Sequence, residues 1–195
     1  TRFKATGTKI TWRPDLNVFT DIDIPSEYFL NVIKKQAVVN NGVKFVFKNQ
    51  TEEMDFETTE FLYEKGITDY LEELAGEKAI STPVYFEAER RGKDREDKPE
   101  YKLKVETVFC FSNAVTKIEY YHNSSFLEHG GSPDKAAKSA FVKAFDTYLK
   151  NNNKYNKNES KITFGDVEDC LVLVVNSHST RTSYENQTKK AITNT

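Results

Sequence analysis

Close to its C-terminal end the chain reads Asp-Cys-Leu-Val-Leu-Val-Val over residues 169–175, an unbroken apolar run of strand length. A strand with one wet face alternates apolar and polar residues. An unbroken run instead sends apolar side chains to both faces, so it needs a covering layer on each. This one stretch therefore asks for a central strand buried on both sides, with the rest of the chain supplying the covers.

Helical covers are legible from spacing. From Pro25 an apolar face runs through Phe29, Val32, Ile33 and Ala37 and stops at Asn40-Asn41-Gly42. Ile67, Tyr70, Leu71 and Leu74 share one face of a shorter helix that Gly76 ends. The longest helix opens at Gly130-Gly131. Ser132 is its expected N-cap, Pro133 its first helical residue and Asp134 a complement to its dipole. Its expected buried stripe is Ala137, Ala140, Phe141, Ala144, Phe145 and Tyr148.

Strand patterns fill the remainder. Ile10 and Trp12 alternate with polar neighbours ahead of a turn at Pro14-Asp15. Val43, Phe45 and Phe47 lead into a hairpin with a second strand around Met54 and Phe56. Residues 83–91 and 100–112 form two long alternating segments across a charged tip at 92–99. Residues 114–129, Tyr120 and Tyr121 among them, show no consistent period, and residues 151–160 are low-complexity loop. The reading is one α+β domain spanning residues 1–195, with strands outnumbering helices.

The 28 Lys+Arg residues nearly balance 30 Asp+Glu, so nucleic-acid contact has to be local rather than spread over the whole surface. Cys110 and Cys170 both sit in apolar runs and read as reduced thiols. No run is long enough to span a bilayer and no leader opens the chain, so a soluble, cytoplasmic protein is expected. The sequons at Asn49, Asn123, Asn158 and Asn186 carry little weight in that setting. The first residue is not Met, and a fragment of something longer is expected.

No Gly-x-Gly-x-x-Gly, P-loop or His-Glu-x-x-His occurs, and His122, His129 and His178 lack metal-ligand spacing, so no metal site is expected. Two local features remain. Gly130-Gly131 precedes a helix N-terminus, where free N–H groups can hold a phosphate, although a plain turn into the helix is the favoured explanation. Gln187-Thr188-Lys189-Lys190 offers an amide and an ammonium suited to a terminal phosphate, with lysine acting as a point charge.

In order along the chain, GTKITWRPDLNVF, NNGVKFVF, FLYEKGITDYL, VFCFSN, HGGSPDKAAKSAF and NQTK resemble landmarks of the second, transducer domain of bacterial type IIA topoisomerase ATPase subunits, the DNA gyrase B and topoisomerase IV kind. The resemblance implies a β-sheet backed by helices with a left-handed βαβ crossover. It implies a place after an N-terminal GHKL ATPase domain that holds the catalytic base and Mg²⁺, so that the piece alone does not hydrolyse ATP. Gln187 and Lys189 are then the ATP-binding residues of a loop reaching the γ-phosphate, and Lys189 has the catalytic role. Lys138, with Lys135 one turn earlier, is a candidate to line a DNA cavity. The implied partners are DNA, a DNA-cleaving subunit of the gyrase A type and a second copy of the full-length subunit. Gly130-Gly131-Ser132-Pro133 departs from the family's Gly-Gly-Thr-His, FLYEKG departs from Phe-His-Tyr-Glu-Gly-Gly, and residues 117–129 lengthen the preceding loop, which leaves the subfamily open. The alternatives are a non-catalytic binding or assembly module of the same fold and a mismatch-repair-type GHKL protein.

Overall fold

The computed structural model describes residues 6–51, 54–93, 95–185 and 187–193; Asn186, a sequon and the first residue of the NQTK landmark, lies outside them. Helix α1 spans Ser26–Val39 and is followed by an antiparallel hairpin, β1 (Phe45–Gln50) with β2 (Phe56–Phe61), in register from Phe45↔Phe61 to Gln50↔Phe56. Met54 lies in the hairpin turn at φ 67°. Helix α2 covers Ile67–Ala75 and gives way at Gly76, as expected. Strands β3 (Val84–Gly92) and β4 (Tyr101–Phe111) form the second hairpin. Next come β5 (Lys117–His122), β6 (Ser125–Phe126), α3 (Ser132–Asn151), the short α4 (Gly165–Glu168) and β7 (Leu171–Ser179).

The larger sheet has the order β3-β4-β7-β5-β6, with β7 in the middle. β4 and β7 are antiparallel, whereas β5 and β7 are parallel from Lys117↔Val172 to His122↔Ser177. Parallel neighbours need a long crossover, and here α3 provides it, so the sheet is mixed and the chain is of the α+β class. The apolar run of β7 is covered on both faces. Val172 and Val174 pack with Val38, Leu71, Val108, Cys110 and Tyr121 under α1 and α2. Leu171, Leu173 and Val175 pack with Tyr120, Leu127, Phe109 and Phe141 under α3. Both cysteines are free thiols. Among the described residues, no helix is long and apolar enough to cross a membrane.

Five expectations need correction. Residues 8–13 form no strand, and Ile10 is 85% exposed. A strand depends on a ladder partner, and no described segment pairs with this one. Residues 114–129 do contain strands, β5 and β6, which the sequence hid because each face of β5 mixes polarity. Glu119 is buried on the α2 face, taking the Tyr121 hydroxyl at 2.7 Å and Lys117 at 3.4 Å, while Ile118, Tyr120 and His122 face α3. Ser132 is the first helical residue of α3 and not its N-cap, which is Gly131; the Ser132 hydroxyl donates to the Ile192 carbonyl instead. The α3 stripe is also only half covered: Phe141 and Phe145 pack onto Phe109 and Phe111, but Ala140, Ala144 and Tyr148 are exposed. Val32 of α1 is exposed in the same way, and the helix buries Ala37, Val38 and Val39 near its C-terminal end.

The N-terminal part exposes apolar side chains. Trp12 contacts Phe19 and Phe29, Phe29 stacks on Phe47 at 5.8 Å, and Leu16, Val18, Tyr28 and Val43 are exposed nearby in sequence, while Val46 and Phe56 are exposed on the opposite face of the β1–β2 hairpin. Exposed aromatic side chains, clustered as Trp12 and Phe19 are, mark a candidate contact region.

Gly131 ties the longest helix to the end of the chain. It has φ 84°, pairs with Ile192, and leaves room for no side chain: a Cβ there would lie 2.3 Å from the Ile192 carbonyl oxygen and 2.8 Å from its nitrogen. Both are backbone atoms, so neither can swing away. Gly131→Ala is expected to lower stability by at least about 2 kcal/mol, combining positive-φ strain with that overlap, as measured by urea unfolding.

Candidate nucleotide-contact loop

Beyond β7 the chain makes an excursion and returns. Ser183 to Glu185 run outward and Ala191 to Thr193 run back antiparallel, joined by Glu185 N–H to the Ala191 carbonyl (3.0 Å), Thr193 N–H to the Ser183 carbonyl (2.9 Å) and the Tyr184↔Ile192 bridge. Gln187, Thr188 and Lys189 sit at the exposed tip. The structure thus brings the two expected phosphate-contacting residues together on one small protrusion.

The returning leg is anchored deeply. Ala191 and Ile192 are buried, and the Ile192 carbonyl accepts the Ser132 N–H at 3.0 Å while His129 N–H reaches the Lys190 carbonyl at 2.9 Å. One orphan N–H at the start of α3 is therefore used by the loop's own backbone, so Gly130-Gly131 serves as a turn and a docking point and not as a phosphate cradle. The outgoing leg is held from β5: the Thr182 hydroxyl lies 2.8 Å from His122 Nε2 and 3.0 Å from the Asn123 amide nitrogen. Asn123 also brackets Ser179, accepting its N–H at 3.0 Å and donating to its carbonyl at 3.1 Å.

Electrostatics separate the two adjacent lysines. Lys190 pairs with Glu128 at 2.5 Å, and that pairing holds the Glu128 carboxyl below its usual range. Lys189 has no carboxylate partner among the described residues, and its ammonium rests 5.4 Å from the centroid of the Tyr184 ring. Its backbone has φ 56°, a conformation that few non-glycine residues adopt. An exposed ammonium on a fixed loop, lacking a counter-ion, is suited to an incoming anion. His122 is buried, and burial, followed by the nearby His178, pushes its imidazole down to about 4, so it is neutral near pH 7.

The two candidate residues on α3 differ. Lys138 is committed to Asp134 at 3.0 Å and lies over the Phe164 ring at 5.4 Å. Lys135 is exposed and has no ion pair among the described residues. Lys135 borders an apolar groove of about 880 Å³ between α3 and the sheet, lined by Leu103, Val105, Phe109, Ala140, Phe141 and Leu173. The groove is mainly apolar, with Lys135, Ser132 and the loop's Glu185 and Thr193 on its border, whereas Gln187 and Lys189 are not among its lining residues. The tie that His122 and Asn123 make to Thr182 escaped the sequence analysis, because nothing in a segment without period distinguishes a buried, hydrogen-bonded histidine from a surface one.

Comparison with known proteins shows the family and the fold. The sequence model of the DNA gyrase B family matches residues 66–195, beginning where α2 begins. The DNA gyrase B protein of Mycoplasmoides gallisepticum is 27% identical over 196 residues, covering 98% of this chain and 30% of that protein. Its counterpart in Spiroplasma citri is 29% identical, covering 97% and 29%. The chain thus spans about three-tenths of the length of these relatives. Among solved structures, the 43K ATPase domain of Thermus thermophilus gyrase B, determined with an aminocoumarin, superposes with TM-score 0.64 at 22% identity over 93% of this chain and 46% of that one. The DNA gyrase B-subunit of Myxococcus xanthus gives 0.67 at 15% identity, covering 92% and 47%. The mixed sheet backed by helices is the fold they share with this chain. With the family matched from Gly66 to the last residue, the chain belongs to the DNA gyrase B family and corresponds to the transducer region of a gyrase or topoisomerase IV B-type subunit.

Proposed function

We propose that this chain is the transducer of an ATP-dependent type II DNA topoisomerase, contacting the γ-phosphate through Gln187 and Lys189 and passing the nucleotide's state on to movement of the domain. The supporting observation is the contrast at the loop tip: Lys190 is paired with Glu128, while Lys189 beside it has no carboxylate partner among the described residues and sits on an anchored hairpin. In this reading the exposed aromatic cluster of Trp12, Phe19 and Tyr28 packs against the upstream ATPase part, which holds the nucleotide, the Mg²⁺ and the catalytic base. Residues 1–195 then act as one unit, inactive in ATP hydrolysis alone. The wider assembly comprises a second copy of the subunit and a DNA-cleaving partner.

The chemistry asked of Lys189 is electrostatic. Phosphoryl transfer spreads negative charge over the phosphoryl and leaving oxygens, and an ammonium already in place stabilises that charge without reorganising. Gln187 adds an amide donor to the same group. Once the γ-phosphate has gone, the tip has lost its anion, and the contact that held the transducer against the nucleotide is released.

Lys189→Ala in the full-length subunit is expected to lower kcat for ATP hydrolysis by roughly 10²-fold or more, the scale for removing one preorganised charge-stabilising donor. Lys190→Ala should stay within about twofold, because its charge serves a surface ion pair. Steady-state ATPase assays decide, and wild-type turnover in Lys189→Ala would favour a non-catalytic module of the same fold.

For DNA, Lys135 is the better-placed contact and Lys138 the structural one. Lys135→Ala is expected to weaken DNA-stimulated turnover and to reduce the salt dependence of DNA binding by about one unit of slope. Lys138→Ala should leave that slope unchanged and cost α3 about 0.3–0.5 kcal/mol through its lost i,i+4 pair. DNA-binding titrations at several salt concentrations distinguish the two.

A further inference from the structure

Hydrogen-bond directions around His122 follow from assigning the Ser177 hydroxyl hydrogen to the Tyr121 carbonyl. The Ser177 hydroxyl has one hydrogen, and it points to the Tyr121 carbonyl at 3.0 Å. Ser177 Oγ, 2.8 Å from His122 Nδ1, must therefore accept, which puts the ring proton on Nδ1. Nε2 is left as a bare acceptor, so the Thr182 hydroxyl, 2.8 Å away, donates to it and itself accepts from the Asn123 amide at 3.0 Å. The outcome is one directed relay from Asn123 through Thr182, His122 and Ser177 to the backbone of β5. No member has a spare hydrogen to point elsewhere.

The same imidazole touches the loop a second time. The Tyr184 ring packs edge-on against it at 6.3 Å between centroids, and the other side of that contact leads to Lys189, whose ammonium lies 5.4 Å from the Tyr184 centroid. His122 therefore holds the outgoing leg at Thr182 and sets the position of the ring on which the Lys189 ammonium rests. The returning leg has its own anchor at Ile192. Releasing Thr182 removes one tie between β5 and the outgoing leg, while the pairing of the two legs, the Ile192 anchor, α3 and the sheet stay intact, so the loss is felt as a shift in the aim of the tip.

We infer that His122, acting through Thr182 and Tyr184, is the positioning residue that aims the Gln187/Lys189 tip at a terminal phosphate. The inference rests on the γ-phosphate role proposed above for that tip. His122 touches no substrate; its effect is confined to the one phosphoryl group that the tip meets. A nucleoside diphosphate lacks that group, so loss of the relay should weaken binding of a triphosphate and leave a diphosphate alone. A general loss of folded protein moves both together.

The test uses the full-length subunit and measures dissociation constants for ADP and for a non-hydrolysable ATP analogue, alongside thermal melting. Thr182→Val keeps the shape and removes the hydroxyl. It is expected to weaken the analogue about three- to tenfold, the scale of one net hydrogen bond, with the ADP constant unchanged. Thr182→Ser restores the hydroxyl and should recover the wild-type ratio. Asn123→Gly, which suits the φ of 47° at that position, removes the relay's outer donor and should shift the ratio in the same direction. The inference is overturned if Lys189→Ala lowers the ratio of triphosphate to diphosphate affinity while Thr182→Val and Asn123→Gly leave it at the wild-type value, or if Thr182→Val weakens both ligands equally. An unchanged ratio in Lys189→Ala itself overturns the phosphate reading, and this inference with it.

Discussion

Everything in this structure is arranged around a strand that has no wet face. β7 sends Val172 and Val174 to one side and Leu171, Leu173 and Val175 to the other, so the sheet is stable only with a layer on each. α1 and α2 supply the first. α3 supplies the second, arriving through the crossover that makes β5 and β7 parallel. Each fully buried Val or Leu contributes on the order of 1.5–3 kcal/mol. That concentration of burial makes the C-terminal end of β7 a rigid platform, and the loop with Gln187 and Lys189 springs directly from it.

Much of this was legible because apolar periodicity survives where each face of an element has one character. The run at 171–175 and the α2 stripe are of that kind. Legibility failed where a face is mixed or incomplete. β5 buries Glu119 among tyrosine hydroxyls and His122 among hydroxyl side chains, so its alternation of inside and outside is not an alternation of apolar and polar. The segment around Ile10 and Trp12 has the converse defect: it alternates as a strand does but has no ladder to join among the described residues.

The loop itself was recognisable only through its order among other landmarks, since Gln-Thr-Lys is too short to carry meaning alone. What the sequence could not convey is how the tip is held. Its anchors, Thr182 to His122 and Ile192 to Ser132, join residues roughly sixty positions apart. Nor could it separate the lysines, because Lys189 and Lys190 differ only in what the fold puts beside them, a tyrosine ring for one and a carboxylate for the other.

The Ile192 carbonyl accepts from the very first residue of α3, so loop and helix meet with no intervening spacer. A helix of 20 residues is about 30 Å long. It is held at one end by this joint and along its length by a half-covered stripe, and it therefore has the mechanics of a lever with its pivot at Gly131. A tilt of about 10° there carries the far end through about 5 Å, at 1.5 Å of rise per residue. A contact as small as the one proposed for the loop tip is no obstacle to a large displacement, because the gain is set by the length of the arm.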